Sequence, residues 1–253
     1  MELSTQEQLK YQRQIMLAKV GEQGQLALRN AKVLVVGLGG LGNPVAMYLS
    51  AAGVGELFLA DGDIVDESNL QRQILFTPND VGSNKADIAA QRLTAQNPDV
   101  NIEIIDEMLD EETADYYCSL VDVVIDCTDN IDSRFILNKC CFNQNKTLIS
   151  GAATGFDGQC FILNRQSDEP TLQGCYQCMI PSKEHAPTLN CQTVGIVGPV
   201  LGIIGSMQAL MCIKVIIGIK VPTHQLLVFD GVFQQWQEFK VTANKQCPVC
   251  RDS

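Results

Sequence analysis

The stretch that decides the fold is residues 31–61, AKVLVVGLGGLGNPVAMYLSAAGVGELFLAD. Within it, Val33–Val36 is a β-branched apolar run typical of a buried parallel strand. The run leads directly into Gly37, Gly39 and Gly42, which have the spacing G-x-G-x-x-G. In this pattern the first glycine permits a tight turn and the second lets backbone approach a phosphate. The third lets the following helix pack against the strand, and the N–H groups at the start of that helix face an anion.

The residues after the glycine pattern support a nucleotide site. A helix of small residues leads to a second strand, Leu57–Ala60, which ends at Asp61. An acid at this point of a strand–helix–strand unit is placed to bind a ribose hydroxyl. Glycines alone are weak evidence, because structural turns also collect them. Strand, glycine pattern, helix, strand and acid in this order favour the nucleotide site over a glycine-rich turn.

Strand and helix patterns continue to alternate along the chain, which is the signature of a doubly wound sheet. After residue 151 the pattern changes to that of antiparallel strands. We therefore expect an α/β fold, with a Rossmann-like, mostly parallel sheet that antiparallel strands extend. The expected later strands are 101–105, 122–126, 147–150, 158–163, 226–229 and 236–241, and the expected helices include 84–96, 111–119 and 131–143.

The composition narrows the class of protein. The chain has 253 residues, enough for one substantial α/β core, and its net charge of −11 argues against nucleic acid as a partner. The N-terminus is polar and acidic and has no signal-peptide pattern, so we expect a cytoplasmic protein. Cys191–Ile213 carries no charge, but its glycines and its two glutamines favour a buried helix over a membrane span.

Two Cys-x-x-Cys pairs indicate a metal site. Cys175 with Cys178, and Cys247 with Cys250, can each place two thiolates on one face of an ion. Two pairs complete a tetrahedral four-cysteine site for Zn²⁺, closed to substrate and therefore structural, which would tie the C-terminal tail to the body. The alternative is a thioredoxin-type redox pair, which lacks its usual βαβ context and leaves the second pair unexplained.

Two cations and one acid suggest which nucleotide binds. Arg72 and Lys85 lie downstream of the glycine pattern, and Asp129 follows a predicted strand. Two cations beside a phosphate-binding turn suit a triphosphate that loses pyrophosphate, and the acid suits Mg²⁺. The alternative is that the cations are solvated surface charges and Asp129 is a helix N-cap. Together on one sheet edge the three favour ATP over NAD, because a dehydrogenase needs no such cation cluster.

Several motifs occur in order along nearly the whole chain: YQRQ at 11–14, GLGGLG at 37–42, SNLQRQ at 68–73, DCTDN at 126–130 and the two cysteine pairs. Together they resemble the ThiF/MoeB/HesA family, whose members are relatives of ubiquitin-activating enzymes. The segments NCQTVGIVGP at 190–199 and FDG at 229–231, with Trp236, are most similar to the ThiF branch of that family.

The resemblance implies a homodimer that uses ATP to adenylylate the C-terminal Gly-Gly carboxylate of a small ubiquitin-like sulfur carrier. The carrier would be ThiS-like, in thiamine thiazole synthesis, with a sulfur donor protein as a further partner. The small subunit of molybdopterin synthase is the alternative carrier. Arg13 would reach the phosphates of the partner subunit's site. Beside the pattern glycines, the residues implied to bind Mg·ATP are Gly40, Asp61, Ser68, Asn69, Leu70, Gln71, Arg72, Lys85, Asp129 and Asn130.

We expect one unit rather than separable domains. The N-terminal helical arm would be residues 1–30, the nucleotide-binding lobe 31–150, and the lobe for the carrier protein and zinc 151–253. Two other functions remain open at this stage, a NAD-dependent oxidoreductase and a non-catalytic scaffold. Against the scaffold, the chain retains Arg13, Arg72, Lys85 and Asp129.

The cysteines outside the two pairs divide into one candidate and a core set. Cys191 follows a predicted mobile loop at 182–190, and the resemblance implies that it links to the activated carrier as an acyl persulfide. The alternative is a small apolar residue that begins a buried helix. We expect Cys127 to lie close to the nucleotide without reacting. The core set is Cys118, Cys127, Cys140, Cys141, Cys160 and Cys212.

Overall fold

The computed structural model describes residues 2–163, 174–185, 195–221 and 223–251. Within them, eight strands form one sheet: β1 (Lys32–Val36), β2 (Glu56–Ala60), β3 (Asn101–Ile105), β4 (Val123–Asp126), β5 (Thr147–Thr154), β6 (Asp157–Leu163), β7 (Gln225–Asp230) and β8 (Gln235–Lys240). Their order is β3-β2-β1-β4-β5-β6-β7-β8. The first five are parallel, and β6, β7 and β8 join by antiparallel pairing. The predicted parallel sheet with an antiparallel extension is confirmed.

Helices cover both faces of the sheet, as the doubly wound pattern requires. They are α1 (Thr5–Lys10), α2 (Gln12–Ile15), α3 (Gly21–Asn30), α4 (Gly42–Ala52), α5 (Lys85–Gln96), α6 (Glu111–Leu120), α7 (Ile131–Asn143), α8 (Tyr176–Met179) and α9 (Gly198–Ile216). Residues of α3, α4, α5 and α9 form one core cluster, and residues of α6, α7 and α8 form the other. Strand β1 contributes to both, since Val33 and Val35 enter the first cluster and Leu34 and Val36 enter the second.

The strand order puts β1 at the point where the winding reverses. From β1 the chain moves outward through β2 to β3, and it then returns to β4 on the other side of β1. In open α/β sheets, ligands bind beyond the carboxyl ends of the strands at such a switch point. The fold therefore places any nucleotide site beyond β1 and β4.

Helix α9 contains the long uncharged run. Within the described residues it is the one helix that is long and apolar enough to cross a membrane, with a mean hydropathy of 1.8. It begins at Gly198 rather than at Cys191, and residues 191–194 lie outside the described ranges. It packs against α4 and strands β4 to β6. At Gly205 an added Cβ would lie 2.6 Å from the carbonyl oxygen of Leu41, whereas Gly202 faces open space. The predicted packing against the body is found along one face of the helix, with its close approach to α4 at Gly205, and 44% of its apolar 18-residue stretch is buried.

The N-terminal arm is attached to the body by its side chains. A capping box at Ser4 begins α1 at Thr5. The helix is interrupted at Tyr11, which is only 6% exposed. The Tyr11 hydroxyl accepts a hydrogen bond from Asn97 Nδ2 at 2.9 Å, and its ring leaves no room for a Cβ at Gly53. The buried Tyr11 ring therefore ties the arm to the body at the residue that separates α1 from α2.

Candidate functional site

A cleft of about 250 Å³ opens beyond the carboxyl ends of β1 and β4. Its walls are the glycine turn after β1, the segment after β2, and the loop between β4 and α7. The cleft therefore lies at the switch point. The predicted site residues that line it are Gly37, Gly39, Gly40, Asp61, Asn69, Arg72, Lys85, Asp129 and Asn130.

Each of the three glycines in the pattern is suited to its position for a different local reason. Gly37 has φ +88°, and an added Cβ would lie 2.9 Å from the carbonyl oxygen of Cys127. At Gly42 an added Cβ would lie 1.9 Å from the Gly37 carbonyl oxygen, so no side chain fits at the start of α4. Gly39 has only Gln73 Nε2 near its missing Cβ, at 3.4 Å. The first and third glycines shape the turn, whereas the second presents bare backbone to the cleft.

Asp61 lies at the end of β2 and is 7% exposed. Its carboxylate accepts hydrogen bonds from the backbone N–H of Leu38 at 2.6 Å and of Asp63 at 2.9 Å. Burial raises the pKa of Asp61, and the nearby charge of Lys85 opposes that rise. In dinucleotide-binding units, the acid at this position hydrogen-bonds to ribose hydroxyls.

Both predicted cations belong to the cleft wall. Lys85, the first residue of α5, is 5% exposed, and its Nζ donates to Asp63 Oδ2 at 2.9 Å. Arg72 is half-buried and donates from Nη1 to the Ser68 carbonyl oxygen at 3.0 Å. The alternative that these are solvated surface charges is wrong for Lys85. A buried ammonium and a guanidinium on one wall make the cleft suited to phosphate.

Asp129 faces the same cleft from the other side. Its side chain is exposed, and it makes no hydrogen bond or salt bridge to any residue that the structure describes. The cap of α7 is Asn130, whose Oδ1 accepts from the backbone N–H of Ser133 at 2.9 Å. The alternative assignment of Asp129 as the N-cap is therefore wrong. Its carboxylate is available to a hard cation such as Mg²⁺.

Some predicted site residues do not line the cleft. Gly42 lies behind the turn, and Ser68, Leu70 and Gln71 lie in the segment that leads to Arg72. Arg13 is exposed on α2, away from the cleft of its own chain. Cys191 and residues 186–190 of the predicted loop lie outside the described residues.

Sequence reasoning missed several residues on the cleft wall, among them Asp63, Gln73, Arg134 and Tyr176. Gln73 is 4% exposed, and its Nε2 donates to Asn69 Oδ1 at 2.7 Å. Its Oε1 is buried and has no hydrogen-bond partner among the described residues. Gln73 belongs to the SNLQRQ motif at 68–73, but nothing in that motif marks this glutamine as buried.

Cys127 lies on the cleft floor, as expected. Burial raises the pKa of its thiol well above the ordinary value. Cys127 is therefore a neutral thiol at neutral pH, which agrees with the prediction that it does not react. The six cysteines of the predicted core set are all buried.

The two cysteine pairs meet in one cluster, whose four sulfur atoms lie within 4.8 Å of one another. Cys175 Sγ lies 3.5 Å from Cys247 Sγ, and Cys178 Sγ lies 3.2 Å from Cys250 Sγ. A tetrahedral ion with Zn–S bonds of about 2.3 Å separates its sulfur ligands by about 3.8 Å, so the cluster fits Zn²⁺. The Asn244 backbone N–H donates to Cys178 Sγ at 3.3 Å. Hydrogen bonds, first of all from the Cys175 thiol, lower the pKa of Cys178 to about 5, so one ligand ionises readily.

Comparison with known proteins agrees with this geometry. The family model described as ThiF family matches residues 11–249. The sulfur carrier protein ThiS adenylyltransferase of Escherichia coli is 44% identical over 97% of this chain and 96% of its own length. The molybdopterin-synthase adenylyltransferase of the same organism is 41% identical over 98% of each chain. A crystal structure of E. coli MccB with ATP has a TM-score of 0.80 at 22% identity, and covers 95% of this chain and 74% of that one, a likeness of fold. This chain belongs to the ThiF family.

Proposed function

We propose that this protein is an ATP-dependent adenylyltransferase that activates the C-terminal carboxylate of a small sulfur carrier protein. The observation that carries the proposal is the cleft, in which a glycine turn, Arg72, Lys85 and the uncommitted Asp129 face one space. Its relatives of similar length are named as adenylyltransferases of the sulfur carrier ThiS and of molybdopterin synthase.

The chemistry follows from the charges in the cleft. An oxygen of the carrier carboxylate attacks the α-phosphorus of ATP and forms a P–O bond, and the bond to the β-phosphate oxygen breaks as pyrophosphate leaves. No protein base is required, because the attacking carboxylate is already ionised. Arg72 and Lys85 orient the phosphates and stabilise the departing pyrophosphate. Asp129 would hold a Mg²⁺ ion, which neutralises phosphate charge when bound.

The choice of carrier is the finer part of the proposal. We assign a ThiS-like carrier with a Gly-Gly terminus, in thiamine thiazole synthesis, since the ThiS adenylyltransferase is 44% identical. The molybdopterin synthase small subunit is the second candidate, which the 41% identity to a molybdopterin-synthase adenylyltransferase supports. A separate protein would donate the sulfur. The Cys191 thiol would accept that sulfur, at the sulfane level, as a persulfide. The outer sulfur of the persulfide would attack the acyl adenylate of the carrier, AMP would leave, and the carrier would remain on Cys191 as an acyl persulfide.

The assembly forms part of the same proposal. A cytoplasmic homodimer would let Arg13, exposed on α2, reach the phosphates of the partner's cleft. The four-cysteine cluster would hold structural Zn²⁺. Residues 31–150 would bind the nucleotide, and residues 151–253 would bind the carrier.

The test is ATP–pyrophosphate exchange with purified carriers that end in Gly-Gly, added one at a time. We expect exchange with the ThiS-like carrier and none with the same carrier lacking its last glycine. Arg72→Ala should lower the exchange rate more than it weakens ATP binding, because its charge acts on the leaving group. The proposal fails if no carrier supports exchange, or if Arg72→Ala exchanges at the wild-type rate.

A further inference from the structure

A buried arginine lies beneath the loop that carries Asp129. Arg134 projects from the first turns of α7 and is 7% exposed, and it lines the cleft from below. Its guanidinium donates to the carbonyl oxygens of Thr128 and of Gly151, the latter at 2.9 Å, and to Ser150 Oγ at 3.4 Å. The peptide that joins Thr128 to Asp129 is therefore oriented by the arginine.

The charge of this arginine is balanced inside the protein. Asp126, 1% exposed, lies 3.9 Å from Arg134 Nη1. Its carboxylate also accepts from Ser150 Oγ at 2.6 Å, from Thr128 Oγ1 at 2.6 Å and from the Thr128 backbone N–H at 3.0 Å. Because most hydrogen-bonding groups of Arg134 and Asp126 are already bonded within the protein, few remain to bind a ligand. The geometry of this pair serves to hold the residues before Asp129 in one conformation.

The remaining face of Arg134 is covered by Tyr176, whose ring centroid lies 6.0 Å from the guanidinium carbon. Tyr176 is 4% exposed and lines the cleft as well. In a desolvated place such a contact between a cation and an aromatic ring stabilises the position of both groups. Tyr176 thus limits where the guanidinium can lie.

Tyr176 is in turn held by the four-cysteine cluster. It stands between Cys175 and Cys178, two of the four clustered thiols. Its backbone N–H donates to Asn138 Oδ1 at 2.9 Å, and Asn138 Nδ2 donates to Cys175 Sγ at 3.5 Å. Asn138 lies one turn beyond Arg134 on α7. The cysteine cluster and the cleft therefore share one helix and one aromatic side chain.

We propose that Tyr176 and Arg134 are positioning residues that transmit the fixed geometry of the four-cysteine cluster to the loop carrying Asp129, and so set the affinity of the cleft for Mg²⁺ with ATP. The inference rests on the proposed function, in which Asp129 holds that ion. The Arg134 guanidinium bonds to two carbonyl oxygens and lies against Asp126, and the Tyr176 ring covers its remaining face. They act by restricting the peptide that carries the ligand.

The test compares Tyr176→Leu, Tyr176→Phe and Phe135→Leu in the full-length, metal-loaded protein. Tyr176→Leu removes the ring over Arg134, and Tyr176→Phe keeps it. Phe135→Leu is the matched control, because Phe135 packs its ring 6.3 Å from that of Tyr176 but does not line the cleft. Calorimetric titration of ATP at a series of Mg²⁺ concentrations gives the midpoint of the Mg²⁺ dependence, and thermal melting gives stability.

Tyr176→Leu should raise the Mg²⁺ midpoint by up to about 30-fold, which corresponds to the roughly 2 kcal/mol of a desolvated cation–aromatic contact. Tyr176→Phe keeps the ring but loses the hydroxyl that bonds to Arg134, so its midpoint should lie between those of the wild type and Tyr176→Leu. Phe135→Leu should lower only the melting temperature. Asp129→Asn completes a double-mutant cycle, in which Tyr176→Leu should add no further shift. A Tyr176→Leu midpoint within twofold of wild type, or a full shift in the Asp129→Asn background, overturns the inference. If the wild type binds no ATP at any Mg²⁺ concentration, the proposed function fails instead.

Discussion

Replacement of Lys85 by methionine tests the electrostatic basis of the cleft most directly. Methionine keeps the length and the apolar stem of lysine, so the packing of a side chain that is 5% exposed is largely preserved. The change also breaks the ion pair to Asp63, whose side chain is 66% exposed. The freed Asp63 carboxylate returns to water, but the buried Asp61 loses the nearby charge that opposes its burial, so we expect the free energy of unfolding to fall by about 1–3 kcal/mol.

The effect on the reaction should be much larger. Two unit charges about 4 Å apart at an effective dielectric constant of about 20 attract by about 4 kcal/mol. Lys85 gives up its bond to Asp63 to reach a phosphate, so only part of that attraction is gained. A hydrogen bond to a charged group contributes about 1.5–3 kcal/mol net. We therefore expect Lys85→Met to lower kcat/KM by about 30- to 150-fold, which corresponds to about 2–3 kcal/mol.

The assay is ATP–pyrophosphate exchange with a saturating carrier, with kcat and KM for ATP measured separately. The matched control is Lys32→Met, because Lys32 also forms one ion pair, to Glu56 at 2.7 Å, but lies at the amino end of β1. Lys32→Met should exchange at the wild-type rate. A Lys85→Met enzyme within about threefold of wild type would refute the reasoning, since a buried ammonium on the cleft wall would then contribute nothing to phosphate binding.

Further predictions address the turn and the cysteines. Gly42→Ala should prevent folding, because the added Cβ would lie 1.9 Å from a carbonyl oxygen, and circular dichroism measures this. Gly39→Ala should fold normally, and calorimetry should show that it binds ATP at least tenfold more weakly. If the four-cysteine cluster binds Zn²⁺ as proposed, Cys250→Ser should contain no Zn²⁺ by elemental analysis and should melt about 10 °C lower, because about 3 kcal/mol is removed. Cys191→Ser should retain pyrophosphate exchange and fail to form the proposed covalent adduct with the carrier, which mass spectrometry would detect in the wild type. An unchanged metal content in Cys250→Ser, or a persistent adduct in Cys191→Ser, would contradict the respective assignment.

Structural features that depend on residues close together in the sequence were predictable. The glycine turn is one, because Gly37 and Gly42 have no alternative once strand and helix pack at their observed distance. The meeting of the two cysteine pairs is another, since paired thiols at a spacing of two residues indicate a shared ion even when the pairs lie far apart in the chain. Asp61 likewise follows its strand directly.

Features set by distant parts of the chain were not predictable. Arg134 looks like a solvated helix residue, and only its burial against Asp126 and the ends of two strands shows otherwise. Asp129 and Asn130 are both good N-caps, and local preference does not choose between them. The start of α9 was placed too early, because an uncharged run does not mark where a helix begins.

The attachment of the N-terminal arm has a consequence for any assembly that uses Arg13. Lys10 and Tyr11 both bond to Asn97 within the same chain, at 2.9 Å each, so the neighbouring Arg13 is carried on a rigid support. Fixing the backbone of a loose tail costs about 1–2 kcal/mol per residue. The arm is therefore ordered before a second copy of this chain binds to it, and binding would leave the conformation of the arm unchanged. Separation of two copies by dilution would then leave α1 and α2 intact, which amide hydrogen exchange at those helices can verify.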